Sequence, residues 1–101
     1  MPNVITARLA PVIGRIPADI HARAAALGMI AETYAETRAG HGVTGRVAWH
    51  VAFVAEPRPG HTEVVRMRCG TASTEAHALV ELRDALAELE PYAERIAAMR
   101  A

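Results

Sequence analysis

The sequence predicts an α+β domain of two layers, and three observations carry that expectation. From Val43 to Val54 the chain alternates: Val47, Trp49, Val51 and Phe53 share one face, while Arg46, Ala48, His50 and Ala52 share the other. A period of two in β-branched and aromatic residues marks a half-buried strand. A second extended stretch, His61 to Cys69, follows a proline- and glycine-rich tip and makes the return arm of a hairpin. On either side of the hairpin, apolar residues recur at helical spacing. The chain of 101 residues is the length of one domain, spanning residues 1–101.

In chain order, the first expected element is a short helix near residues 3–10, capped by Asn3. An extended arm that adds a strand to the hairpin is the alternative for the same stretch. Pro17 then suits a helical first turn, and Asp19 places negative charge near the positive end of the helix dipole. Ile20, Ala24, Leu27, Ala31 and Tyr34 follow as one apolar stripe, predicting a long helix over 18–39. Gly28 lies inside that span at a cost of about 1 kcal/mol against alanine, which marks it as a close helix contact. Asp19 and Arg23 make an i,i+4 ion pair within it, and Gly40 and Gly42 end it.

The hairpin turns at Glu56-Pro57-Arg58-Pro59-Gly60, because two prolines and a glycine do not fit a strand. With Ala55 facing His61, Trp49 pairs with Met67, Val51 with Val65 and Val47 with Cys69. His50 then faces Arg66, and Ala48 faces Arg68. Gly70 to Thr74 reads as a turn that ends in capping residues, with Glu75 opening a helix. Leu79, Leu82, Leu86, Leu89, Ala93 and Ile96 continue it as one long C-terminal helix. Pro91, which lacks an N–H, is expected to kink that helix or restart it after Glu90. The hairpin, marginal alone in water, would lie on both long helices.

Composition narrows the function. Eleven cations balance eleven anions, so the formal charge is zero. That balance argues against a nucleic-acid binder held by phosphate neutralisation. Every cation is arginine, the better fork for carboxylate or phosphate; a GC-rich coding sequence accounts for the same bias. Cys69 is the one cysteine, which rules out an internal disulfide. No basic segment followed by an apolar run marks a secretory signal, and no apolar run is long enough for a membrane span. The expectation is a soluble cytoplasmic protein.

Candidate chemistry is sparse. His21, His41, His50, His61 and His77 show no compact ligand spacing, so no metal site and no cofactor are expected. Cys69 is expected in the core beside Val47, where a small thiol packs well. The carboxylates Glu75, Glu81, Asp84, Glu88, Glu90 and Glu94 read as the solvated face of the last helix. No catalytic residues are expected, and the chain reads as a non-enzyme. What remains is a basic hairpin face, Arg46, His50, Arg66 and Arg68 with Arg58 at the tip, as the candidate interaction surface. Both hairpin edges would be unpaired, which invites another chain.

The stretch Gly42-Val43-Thr44-Gly45-Arg46-Val47, placed after a long helix and before a hairpin, resembles the small neck and tail-completion proteins of long-tailed phages. Val43, Thr44 and Gly45 match that family's first turn, and Gly70-Thr71 its second. The resemblance covers about residues 15–71. It implies a virion structural protein of the head–tail joining type, working without catalysis as a ring between head and tail. Its partners would be copies of itself and other phage structural proteins. The second expectation is a small regulatory or inhibitory protein-binding module, an anti-defence protein or an antitoxin-like dimer.

Overall fold

Gly28 ends a helix rather than lying inside one, and the rest of the architecture follows from that. A computed structural model describes residues 16–100; the expected helix or arm over 3–10 lies outside them. Pro17 is the N-cap of α1, Ala18–Ala26, which buries Ile20 and Ala24. Gly28 takes φ 71°, a left-handed conformation that costs glycine little. Its N–H donates to Ala25 O at 2.8 Å, and the Met29 N–H donates to Ala24 O at 2.8 Å. This pair of bonds is a Schellman motif, which satisfies the last carbonyls of the helix.

The chain then runs extended as β1, Ile30–Arg38, so the expected long helix over 18–39 is corrected to a nine-residue helix and a nine-residue strand. The helical stripe was a coincidence of spacing. Ala31 is buried with Thr33 and Ala35 on one face of the strand, whereas Tyr34 lies on the other. Thr33, Tyr34 and Thr37 favour a pleated surface. Pairing β1 with the hairpin also makes three strands, where two alone are marginal. The expected Asp19–Arg23 pair gives way to contacts between elements described below.

β2 runs Gly42–Arg58 and β3 His61–Ala72. The three strands form an antiparallel sheet in the order β1-β2-β3. β1 meets β2 with Ala31 opposite Val51, Thr33 opposite Trp49 and Ala35 opposite Val47. The ladder then shifts, and Thr37 pairs with Val43. Gly45, at φ 88°, lies in this irregularity. Thr44 Oγ1 donates to Glu36 Oε1 at 2.8 Å across it and accepts from the Arg46 N–H at 3.2 Å. Val43-Thr44-Gly45 is thus a bulge inside β2, and Gly70-Thr71 lies inside β3; neither is the turn that the sequence suggested.

The hairpin register is corrected as well. Arg58 pairs with His61, leaving Pro59-Gly60 as the tip, and Ala55 faces Glu63. Trp49 faces Gly70, Val47 faces Ala72, His50 faces Cys69 and Val51 faces Arg68. Between Arg68 and Arg66 the ladder slips by one residue, at Met67. A one-residue slip exchanges the faces of everything beyond it. Cys69, expected in the core, is therefore exposed.

Gly70 is required where it sits. A Cβ there would lie 2.9 Å from both Cζ2 and Nε1 of Trp49, so the indole occupies the space above the glycine. The indole Nε1 donates to Glu81 Oε1 at 2.8 Å.

α2 spans Glu75–Leu89, capped by Thr74, whose Oγ1 accepts from the His77 N–H at 3.1 Å. Where a kink or restart at Pro91 was expected, α2 ends at Leu89, a 3-10 turn at Glu90–Tyr92 holds Pro91, and α3 follows as Ala93–Arg100. Ala78, Leu82, Ala85, Leu86 and Leu89 of α2 join Ile96 of α3, Ile20 and Ala24 of α1, and Val47, Trp49, Val51 and Phe53 of β2 in one core. The described helices thus cover one face of the sheet, and no described helix lies on the other, the open face. No described helix is long and apolar enough to cross a membrane.

Candidate functional site

The residues expected to form one basic face are divided among three places. Arg46 lies on the open face, where its Nη2 donates to Thr71 Oγ1 at 3.3 Å. Arg66 is exposed opposite Ala52 on that face, and Arg58 is exposed at the hairpin tip. Arg68 pairs with Val51 and turns to the helix side, its Nε 3.6 Å from Glu88 Oε2. That carboxylate already neutralises part of the expected patch within the chain. His50 is not a surface residue; it is 3% exposed.

His50 belongs instead to a row that crosses the sheet. Glu32 of β1, His50 of β2 and Cys69 of β3 are direct ladder partners on the open face. His50 Nε2 lies 3.0 Å from Glu32 Oε1, and the Tyr34 ring sits 5.3 Å away, tilted by 59°. His50 Nδ1 is buried without a hydrogen-bond partner among the described residues. A buried polar atom left unpaired is uncommon and calls for a reason. The sequence concealed this row because residues 30–38 read as helix. Read as a strand paired at the apolar positions, they place Glu32 beside His50.

A second feature lies at the outer edge of β3. Met67, Arg68, Leu89, Tyr92, Arg95, Ile96 and Met99 line an open, mainly apolar groove of about 230 Å³. Leu89 and Ile96 form its buried floor, whereas Tyr92 is 49% and Met99 57% exposed. The Arg95 guanidinium lies 5.9 Å from the Tyr92 ring centroid, within the range of a cation–π contact. This groove was also hidden in the sequence, since it needs Met67 and Arg68 of β3 brought beside the segment from Leu89 to Met99.

The ionic contacts of the helix layer are structural. Arg83 donates twice to Asp19, from Nε to Oδ2 at 3.0 Å and from Nη2 to Oδ1 at 3.2 Å. The hydrogen bonds from Arg83 hold the Asp19 carboxyl below its ordinary value, and Asp19 raises Arg83 in return. Arg23 Nη2 lies 2.8 Å from Glu90 Oε1. Both pairs fasten α1 to the C-terminal helices. Among the described residues, no group of three or more His, Cys, Asp or Glu side chains is arranged to hold a metal ion.

Together these features define a small α+β domain whose three-stranded sheet carries its described helices on one face. No family model, no curated protein and no solved structure matches the chain.

Proposed function

We propose that the chain is a non-catalytic assembly subunit that contacts copies of itself, and that its particular role is the head–tail connector or tail-completion role of a phage virion. The observation that carries the assembly reading is the groove between β3 and α3. Its exposed Tyr92 and Met99 lie beside a strand edge that pairs with no other strand among the described residues. Apolar surface next to an open edge is what a subunit contact covers.

A second copy suits this surface because the chain is neutral and exposes charges of both signs. Arg68 and Arg95 line the groove, while Asp84 and Glu94 lie on the helices. Contacts between different patches of identical subunits are the heterologous kind that closes rings. The connector role rests on the sequence resemblance alone, at Val43-Thr44-Gly45 and Gly70-Thr71, which lie inside β2 and β3 rather than in turns. On this reading the protein is made in the host cytoplasm, ends in the virion and needs no cofactor. Its partners are itself and neighbouring phage structural proteins, without a part for nucleic acid or membrane.

Sedimentation velocity across a concentration series tests the assembly. The parent chain is expected to self-associate, and a Tyr92→Glu, Met99→Glu double variant to remain a folded monomer, because both side chains are exposed. A parent that stays monomeric at high concentration overturns the proposal. A parent that is monomeric alone but binds one foreign regulator or toxin through this groove would point to the inhibitory module instead.

A further inference from the structure

We propose that Glu32, His50 and Cys69 form a thiol-activating row, at which Cys69 is modified by small disulfides that carry carboxylates. The three residues occupy one rung across the whole sheet. Side chains directly opposite in an antiparallel ladder have Cβ atoms about 4.5–5.5 Å apart, so the thiol and the imidazole are neighbours. Cys69 is exposed and outside any disulfide, while His50 beside it is 3% exposed.

The hydrogen bond selects the tautomer. His50 Nε2 lies 3.0 Å from Glu32 Oε1, and a carboxylate only accepts, so Nε2 carries a proton; in the neutral ring Nδ1 is then the acceptor. The two ring nitrogens point in nearly opposite directions. Nε2 is committed to Glu32 of β1, so Nδ1 is the ring nitrogen left for the neighbour on β3, Cys69. Nδ1 has no hydrogen-bond partner among the described residues, and on this proposal the Cys69 thiol is its donor. Base and orienting carboxylate then stand behind the thiol as they do in other activated nucleophiles.

The reaction balances as thiol–disulfide exchange. Cys69 S–H gives its proton to His50 Nδ1, and Glu32 holds the resulting imidazolium at Nε2. The Cys69 thiolate attacks one sulfur of the small disulfide, forming a new S–S bond as the old one breaks. The leaving thiolate takes the proton from His50, so one protein thiol and one disulfide become one mixed disulfide and one small thiol. Arg46 and Arg66, on the same face, complement carboxylates on the incoming molecule. Cys69 carries out the exchange, and Glu32 is a positioning residue that acts through His50.

The full-length chain is incubated with oxidised glutathione at neutral pH, and the mixed disulfide is followed by intact mass. The folded parent is expected to react on the order of tenfold faster than either Glu32→Gln or the same chain unfolded in urea. Cys69→Ser is expected to gain no adduct. Glu32→Gln is also expected to move the rate–pH profile to higher pH, which loss of packing alone would not do. His50→Gln is expected to match Glu32→Gln if it folds; if it does not, Glu32→Gln with parental melting carries the test. A parent no faster than its unfolded chain, or a Glu32→Gln rate equal to the parent's, overturns the proposal.

Discussion

The two faces of β2 are buried by different means. Toward the helices, Val47, Trp49, Val51 and Phe53 are large and pack against α1, α2 and α3. Toward the open side, Ala48, His50 and Ala52 are also buried, yet no described helix covers them. There the side chains are small, or, like His50, are held by a carboxylate and an aromatic ring on the next strand. The helix side is filled by large side chains, whereas the open side has small ones and a polar row across the strands. The first arrangement supplies stability; the second leaves a polar row within reach of solvent at Cys69.

Removing the largest side chain from the helix side tests this difference most severely. Trp49→Ala is expected to lower stability by about 3–5 kcal/mol in denaturant unfolding, a large fraction of what a domain this size possesses. The indole fills the space over Gly70, and its loss also leaves Glu81 without the Nε1 donor. Unchanged melting, or a solvent-like tryptophan emission from the folded parent, would contradict the packing of this face.

A smaller effect is expected from filling the same space from below. Gly70→Ala places a methyl 2.9 Å from the indole, and overpacking of this kind costs about 1–3 kcal/mol. The sharper readout is the pair: in a Trp49→Ala background the Gly70→Ala penalty is expected to disappear, because the clash has no partner. An undiminished penalty would place the strain in the backbone instead.

The smallest effect concerns how α1 is fastened over the helix side. Arg83 holds the Asp19 carboxyl below its ordinary value of 3.8. A depressed folded value means that the contribution is fully present above the unfolded value and is lost as pH falls through the folded one. Melting temperature followed from neutral pH to below pH 3.8 is therefore expected to fall less steeply for Asp19→Asn than for the parent. The pair is exposed, so at neutral pH the variant is expected to melt close to the parent, and added salt to narrow the difference. Parallel acid limbs would show that Asp19 contributes nothing to this dependence.

The alternation from Val47 to Phe53 was sufficient to identify a strand and its apolar face, because a period of two belongs to the backbone itself. Thr74 before Glu75 likewise announced a helix start, since the capping hydroxyl and the N–H it accepts from lie three residues apart. Residues 30–38 were not legible in the same way. Ala31 and Tyr34 fit a helical stripe as well as a strand, and only the left-handed turn at Gly28 and the partner strand decided between them. The row Glu32–His50–Cys69 depended on that decision and on the slip at Met67, which no alternation count reveals. Arg68 shows the same limit, since one added residue in β3 moved it from the open face to Glu88. Periodicity is a local property of the chain. Register and facing are set where two strands and an indole must share one space, and that only the folded chain decides.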